Sequence, residues 1–208
     1  MNITSKQNLR QGIKEMIKKN SVEECQYAGE KIKERLKAIL DSTALRIACF
    51  ISRKPEIDTN SIIEYLFSKD HSVYVPSWAK CGKMWMMPLS NVDEYHELLS
   101  KSPQYYYELY GHHIPMPPNP HQLKHAVIDI CITPGLAFST VTDASGKYAR
   151  VGYGFGHYDR YFCEYQQEHG RLPLIIGVGH DEQLLNIPII TDPHDIHVDR
   201  LITPNNFC

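Results

Sequence analysis

The run Arg150-Val151-Gly152-Tyr153-Gly154-Phe155-Gly156-His157-Tyr158-Asp159 sets three glycines at alternate positions, behind an arginine and ahead of a helix-forming stretch. Lacking a Cβ, glycine lets backbone N–H groups come close to an anion. The free N–H groups and dipole of the helix that follows add to the same pull. Arg150 supplies a fixed positive charge at the entrance. The chemistry this suits is the holding of a polyphosphate. The spacing is neither a Walker loop nor the GxGxxG dinucleotide fingerprint, and a glycine-rich hairpin serves purely structural ends equally well. The motif alone leaves both readings open.

Two further groups could act with it. Lys6 falls on the helical stripe of Leu9, Ile13 and Ile17, with Arg10 at its margin. A lysine in the first turn of a helix faces the unfavourable end of the dipole, so cations there can be answering an anion. A snorkelling lysine beside a solvated arginine is the competing reading. Asp159 lies just past the glycines, and Asp192, Asp195 and Asp199 cluster near the end. Magnesium carried by a nucleotide takes one or two carboxylates together with phosphate oxygens and waters. Asp159 is placed for that; the late aspartates read equally as turns or caps, as in Asp192-Pro193. His112-His113 and His194-x-x-His197 lack a Cys/His/acid framework for zinc, and no GxSxG nucleophile elbow occurs.

The elements that must position these residues alternate. Helical spacing runs through Leu9, Ile13, Met16 and Ile17 after candidate caps at Thr4 and Ser5. A second helix opens on the Ser21-x-x-Glu24 capping box, carries Val22, Cys25, Ile32, Leu36 and Ile39, and ends at Asp41-Ser42. Residues 44–52 form an apolar run of the kind found in a strand covered on both faces. A helix over 59–69 follows, capped by Thr59 or Asn60, then strands at 71–78 and 84–89. Residues 100–122, with Tyr105, Tyr106, Tyr107, Tyr110, Pro115, Pro117, Pro118 and Pro120, show no sustained period and read as a long loop, the usual form of a lid or binding loop. Strands at 127–133, 172–179 and 198–203 and a helix over 157–169 complete the pattern. Strand–helix alternation predicts an α/β fold: a single-domain three-layer sandwich spanning 1–208, with a mainly parallel sheet and helices on both faces. In such sheets ligands collect beyond the carboxyl ends of the strands.

Bulk properties narrow the function. The chain has 208 residues, 42% hydrophobic and 22% charged, which is globular composition. A formal charge of −2 gives no electrostatic case for a nucleic-acid partner. No stretch approaches the roughly 20 apolar residues of a membrane span, and the opening MNITSKQNLRQG carries no charged-then-apolar signal. Cys25, Cys49, Cys81, Cys131, Cys163 and Cys208 are scattered without a CxxC pair. A reduced, cytoplasmic protein working on small molecules, without nucleic acid or membrane, is the expectation.

Taken in order, several segments resemble the 5-formyltetrahydrofolate cyclo-ligase family over nearly the whole chain. They are Lys6-x-x-Leu9-Arg10, ISRKPEIDTNSII at 51–63, VYVP at 73–76, IPMP at 114–117, IDICITPGLAF at 128–138 and GKYARVGYGFGHYDRYF at 146–162. The last is similar to a signature that normally reads Gly-x-Arg-Leu-Gly-x-Gly-x-Gly-Tyr-Tyr-Asp. His157 stands in place of the first tyrosine of its pair, and the stretch between Phe138 and Arg150 is longer than usual, with Asp143-Ala-Ser-Gly146 replacing a tighter turn.

The resemblance implies an ATP- and magnesium-dependent ligase of one-carbon folate metabolism. ATP phosphorylates the formyl oxygen of 5-formyltetrahydrofolate, the neighbouring amine attacks the activated carbon, and phosphate leaves to give 5,10-methenyltetrahydrofolate. It further implies that Lys6, Gln7, Asn8, Leu9 and Arg10 face ATP, with Arg150, Val151, Gly152, Tyr153, Gly154, Phe155, Gly156, His157 and Tyr158 wrapping it. Arg10, Ile51, Glu56 and the run Tyr153 to His157 would contact the folate, Glu56 being suited to bond the pterin N–H groups. Lys6, Arg10 and Arg150 would be the catalytic cations, and Asp159 and Asp195 the magnesium ligands, in a monomer. A folate- or nucleotide-binding relative that no longer turns over is the main alternative; an RNA-associated relative and a dinucleotide dehydrogenase are disfavoured.

Overall fold

The computed structural model describes residues 6–40, 44–79, 82–111, 113–118 and 124–208. The caps expected at Thr4 and Ser5, the helix end at Asp41-Ser42, and Cys81, His112 and Pro120 lie outside these. Two helices lead, α1 (Lys6–Ile17) and α2 (Val22–Leu40). The capping box at the start of α2 is formed: Ser21 N donates to Glu24 Oε2 at 2.6 Å and Glu24 N to Ser21 Oγ at 3.1 Å. The buried stripe of α2 is Cys25, Ala28, Gly29, Ile32, Leu36 and Leu40, so Val22, expected on it, is exposed instead.

The strands β1 (Arg46–Cys49), β2 (Ser72–Trp78), β3 (Met84–Pro88), β4 (Ile130–Pro134), β7 (Leu174–Val178) and β9 (Arg200–Ile202) form one sheet in the order β3-β2-β1-β4-β7-β9. All neighbours are parallel except β2 and β3. Pro76 is tolerated within β2 because pairing with β1 has ended at Tyr74, so its missing N–H costs that ladder nothing. Strand period assigns the side chains. Ile47, Cys49, Ile130, Ile132, Ile176 and Val178 face one core with α2 and α3 (Asn60–Ser68), while Ala48, Cys131 and Ile175 face another with α5 (Pro103–Tyr110) and α6 (His157–His169). Helices thus cover both faces, as the alternation predicts.

A smaller sheet, β6-β5-β8, comprises β5 (Ala137–Thr142), β6 (Tyr148–Val151) and β8 (Leu184–Leu185), the last preceded by a 3-10 turn (Asp181–Gln183). Ile13 and Ile17 of α1 pack on its Leu136, Ala137 and Val151. This contact brings the N-terminal cations to the end of β6, where the glycine run begins.

Two sequence expectations need correction, on the stretch 100–122 and on the cap of α3, while the long segment before Arg150 keeps the turn expected at Asp143-Ala-Ser-Gly146. The stretch 100–122 is not a continuous loop, because α5 occupies part of it. Its signal is in the caps rather than the period. Ser102 Oγ accepts from Tyr105 N at 3.1 Å, Pro103 holds the first turn, and Gly111 closes the end in the left-handed region. The extended segment before Arg150 is a hairpin, β5–β6, whose turn is fixed by Asp143 Oδ1 accepting from Ser145 N at 2.8 Å and Lys147 N at 3.0 Å. Neither Thr59 nor Asn60 caps α3 with its side chain. Thr59 Oγ1 instead donates to Phe50 O at 2.9 Å, and Asp58 Oδ1 accepts from Asn60 N at 2.9 Å. A helix α4 (Val92–Ser100), absent from the sequence reading, is capped by Asn91.

Candidate active site

Two cavities share a wall, the second of them beyond the carboxyl ends of β1, β2 and β4. The first, of about 560 Å³, is lined by Lys6, Arg10, Arg150, Val151, Gly152, Gly154, Phe155, Gly156 and Asp159, by Arg160, Cys163, Glu164 and Gln167 of α6, and by Asp192, His194 and Asp195. The second, of about 510 Å³, is lined by Phe50, Ile51, Arg53, Glu56, Trp78, His113, Ile114, Pro134, Gly135 and Tyr153, with Phe155, His157 and Tyr158. Arg150, Gly152, Phe155, Gly156 and Asp159 belong to both. One cavity is rich in charge and the other in rings.

The shared wall is the glycine run, and arginines of the charged cavity hold it. Arg10 Nε donates to Gly152 O at 3.0 Å and Arg160 Nη1 to Phe155 O at 2.8 Å. Gly154 has φ +107, and a Cβ there would point at the Arg10 guanidinium, 3.6 Å from its Cζ. A side chain at this position meets backbone strain, while its Cβ would rest in ordinary contact with that cation. α6 starts at His157 directly after the run, so the loop-to-helix order expected for an anion site is present.

Arg150 sits between the cavities with its side chain 4% exposed. Its Nη2 pairs with Asp159 Oδ1 at 2.8 Å, its guanidinium lies 5.6 Å from the Tyr158 ring centre, and its Nε has no hydrogen-bond partner among the described residues. A buried guanidinium N–H left unsatisfied is costly, about 1–3 kcal/mol or more for a charged group. Asp159 Oδ1 also accepts from Ile196 N at 3.2 Å, which ties the 192–196 loop to the same arginine.

On the charged side, Lys6 Nζ lies 2.6 Å from Asp192 Oδ2 and also bonds Asp195. Partial burial pulls the Lys6 ammonium down, but its bonds to the two carboxylates prevail and hold it above its ordinary value. Lys6 in turn keeps the Asp192 carboxyl below the usual carboxylate range. The ligand atoms of Asp192, His194 and Asp195 lie within 4.8 Å of one another.

On the ring side, burial pushes the Glu56 carboxyl up, against bonds from Arg53 N at 3.0 Å and the Tyr153 hydroxyl that favour its charge. Burial likewise raises the Tyr153 and Tyr158 phenols. Phe155, 69% exposed, stacks on His157 at 5.7 Å and 19°, and His157 meets Trp78 edge-on at 6.0 Å. These rings form a wall against which a planar heterocycle can stack.

The structure thus gathers Lys6, Arg10, Arg150, Val151, Gly152, Gly154, Asp159 and Asp195 at the charged cavity, and Ile51, Glu56, Tyr153, His157 and Tyr158 at the other. It separates some residues the sequence reading joined. Gln7 and Asn8 are exposed on α1 and Leu9 packs on the small-sheet core, so none of the three lines a cavity. Arg10 lines the charged cavity alone, as does Gly154, while Tyr153, His157 and Tyr158 line the ring side alone. Asp199 accepts from Ile175 N at 2.8 Å and pairs with Lys147, a structural role. Sequence reasoning gave no role to Trp78, Arg53 or Arg160, and set His194 aside for want of a zinc framework. Arg160 carried a usable signal, since it stands at helical spacing from His157 and Gly156; Trp78, ending a strand, could be found from the carboxyl-end rule.

Comparison with known proteins agrees along the whole chain. The model of the 5-formyltetrahydrofolate cyclo-ligase family matches residues 2–204. A 5-formyltetrahydrofolate cyclo-ligase of Saccharomyces cerevisiae is 27% identical, covering 96% of this chain and 95% of its own. A probable 5-formyltetrahydrofolate cyclo-ligase of Caenorhabditis elegans is 28% identical, covering 95% and 91%. A solved structure of a 5,10-methenyltetrahydrofolate synthetase from Mycoplasma pneumoniae has a TM-score of 0.65 at 20% identity, covering 97% of this chain and all of its own. That of Aquifex aeolicus has a TM-score of 0.66, again at 20% identity, covering 98% and 92%. At that identity the solved structures speak for the fold.

Proposed function

The chain belongs to the 5-formyltetrahydrofolate cyclo-ligase family, and on that premise we propose that it uses ATP to close 5-formyltetrahydrofolate to 5,10-methenyltetrahydrofolate, releasing ADP and phosphate. The observation that carries the reading is the pair of cavities with Arg150 in their common wall. A triphosphate in the charged cavity and a reduced pterin against the rings would bring a phosphoryl donor and a formyl oxygen together at one guanidinium.

Phosphoryl transfer asks a protein mainly to position groups and to neutralise charge. Lys6, Arg10 and Arg160 would answer the phosphate charges. Arg150, with Nε unpartnered and Nη2 fixed by Asp159, would steady the group in transit. Glu56 would take the pterin N–H groups, and Trp78, Phe155 and His157 would stack on its ring and keep water from the activated carbon. The amine then attacks that carbon and phosphate departs.

Magnesium fits the same site. Asp195, beside Asp192, offers the hard oxygens it prefers, and the Lys6 ammonium already resting on both carboxylates marks the spot as stabilising a cation. Asp159 faces the same cavity with Oδ1 engaged by Arg150. Bound there, the ion would add charge neutralisation across the phosphate oxygens. We also take the protein to act as a cytoplasmic monomer on these small molecules without nucleic acid, in keeping with its charge of −2. No helix among the described residues is long and apolar enough to cross a membrane.

The test mixes protein, 5-formyltetrahydrofolate, ATP and magnesium and follows methenyl-folate absorbance. ATP-dependent turnover supports the reading; well-folded protein giving none overturns it.

A further inference from the structure

His180 and Gln183 line neither cavity, yet each is buried at 4% exposure; Gln183 is bonded to Gly135, which lines the ring-lined cavity, and His180 to Pro55, the neighbour of Glu56, which does. His180 follows β7, and the 3-10 turn carries Gln183. His180 Nε2 lies 3.1 Å from Pro55 O. A carbonyl only accepts, so Nε2 holds the hydrogen. Burial lowers the His180 pKa, which leaves the ring neutral with its one hydrogen committed to that bond. Pro55 C=O and Glu56 N–H belong to a single planar peptide unit. The N–H end of that unit donates to Arg53 O at 2.8 Å. Both ends are thereby pinned, and with them the Cα from which the Glu56 carboxylate extends into the ring-lined cavity.

The other arm leads to the opposite rim. Gln183 Oε1 accepts from His180 N at 2.7 Å, and Gln183 Nε2 donates to Gly135 O at 2.7 Å and Leu136 O at 3.1 Å. Both amide hydrogens and the carbonyl are engaged, so the side chain has one orientation. Gly179 makes room for it: a Cβ there would lie 2.6 Å from Gln183 Oε1. Pro134, next to this rim, receives Arg150 Nη1 at 3.4 Å. The chain of bonds therefore runs from the Glu56 wall, through His180 and Gln183, to the wall that meets Arg150.

We infer that His180 and Gln183 are positioning residues for folate, a strut that sets the spacing between Glu56 and the Pro134–Gly135 rim of its cavity. The inference rests on the function proposed above. It separates folate from ATP, because no bond of the strut reaches Lys6, Arg10, Arg160 or the glycine run. It also fixes what must be conserved at position 180: a donor at the Nε2 position.

The experiment is steady-state kinetics with each substrate varied in turn, on wild type, His180→Gln, His180→Asn and Gln183→Leu, with a melting curve for each. Wild-type turnover comes first, and its absence counts against the function rather than the strut. Gln places an amide N–H about where Nε2 lies; Asn falls short. The expected result is a folate KM within about threefold of wild type for His180→Gln and raised roughly tenfold for His180→Asn and Gln183→Leu, as for a lost buried hydrogen bond. The ATP KM stays within about twofold throughout. Should Gln183→Leu fail to fold, the Gln and Asn pair at 180 still decides. Equal folate KM values for that pair, or ATP and folate KM values rising together, would overturn the inference.

Discussion

The two cavities differ in how they recognise a ligand, although they share a wall and nearly the same volume. The charged one draws its residues from the ends of the chain, with Lys6 and Arg10 on α1 and Asp192, His194 and Asp195 close to the C-terminus. Its lining is held by ion pairs at partly exposed groups such as Lys6, which salt and pH can alter. The ring-lined cavity is built at strand ends, from Ile51, Trp78 and Pro134, and backed by buried polar bonds. Electrostatics sets the first and packing the second. Substitutions should therefore divide by substrate, except at the shared wall.

Arg150→Lys should break that division most. Lysine keeps the charge but not the fork that serves Asp159 and leaves Nε for a ligand. We expect kcat to fall on the order of 10²–10³-fold, and stopped assays of methenyl-folate will read it. A loss confined to the KM of one substrate would remove Arg150 from the junction. Lys6→Met should act on one side alone, raising the ATP KM roughly tenfold with the folate KM unmoved. The effect should shrink in high salt, as screening predicts. Glu56→Gln should do the reverse, raising the folate KM roughly fivefold at constant ATP KM, since the amide keeps one acceptor and loses the charge.

The smallest effect is on stability. Burial raises the Glu56 carboxyl above its ordinary value of 4.5. Below the unfolded value the group is protonated in both states and folding gains or loses nothing through it. Above the raised folded value the folded protein carries a disfavoured charge. Glu56→Gln should therefore melt a few degrees higher than wild type near neutral pH, with the gap closing as pH falls toward 4.5. A gap that widens on acidification would reverse the assignment of burial as the governing effect.

How far the sequence spoke also divides along these lines. The parallel core was legible because Ile47, Ile130 and Ile176 sit in apolar runs that a two-sided strand requires. The glycine run, Lys6 and Arg10 could be named because their spacing points to anion chemistry before any fold is known. What failed was local and compensated. α5 hides its signal in Ser102, Pro103 and Gly111, whose capping outweighs a run of tyrosines with no clear period. The turn at Asp143 was legible, but not the side-chain bonds that close it. Gln7, Asn8 and Leu9 matched a motif, yet helix geometry sends only Lys6 and Arg10, four residues apart, to the charged cavity. The His180–Gln183 strut was out of reach, since its meaning lies in which carbonyls it meets.

A structure of the protein with 5-formyltetrahydrofolate and a non-hydrolysable ATP analogue tests the central claim most directly. The account predicts the γ-phosphate in the charged cavity and the formyl oxygen in the ring-lined one, both within hydrogen-bond reach of Arg150 and about 3–3.5 Å from each other. Nucleotide stacked against Trp78 and His157, or the two ligands on the same side of the glycine run, would contradict it.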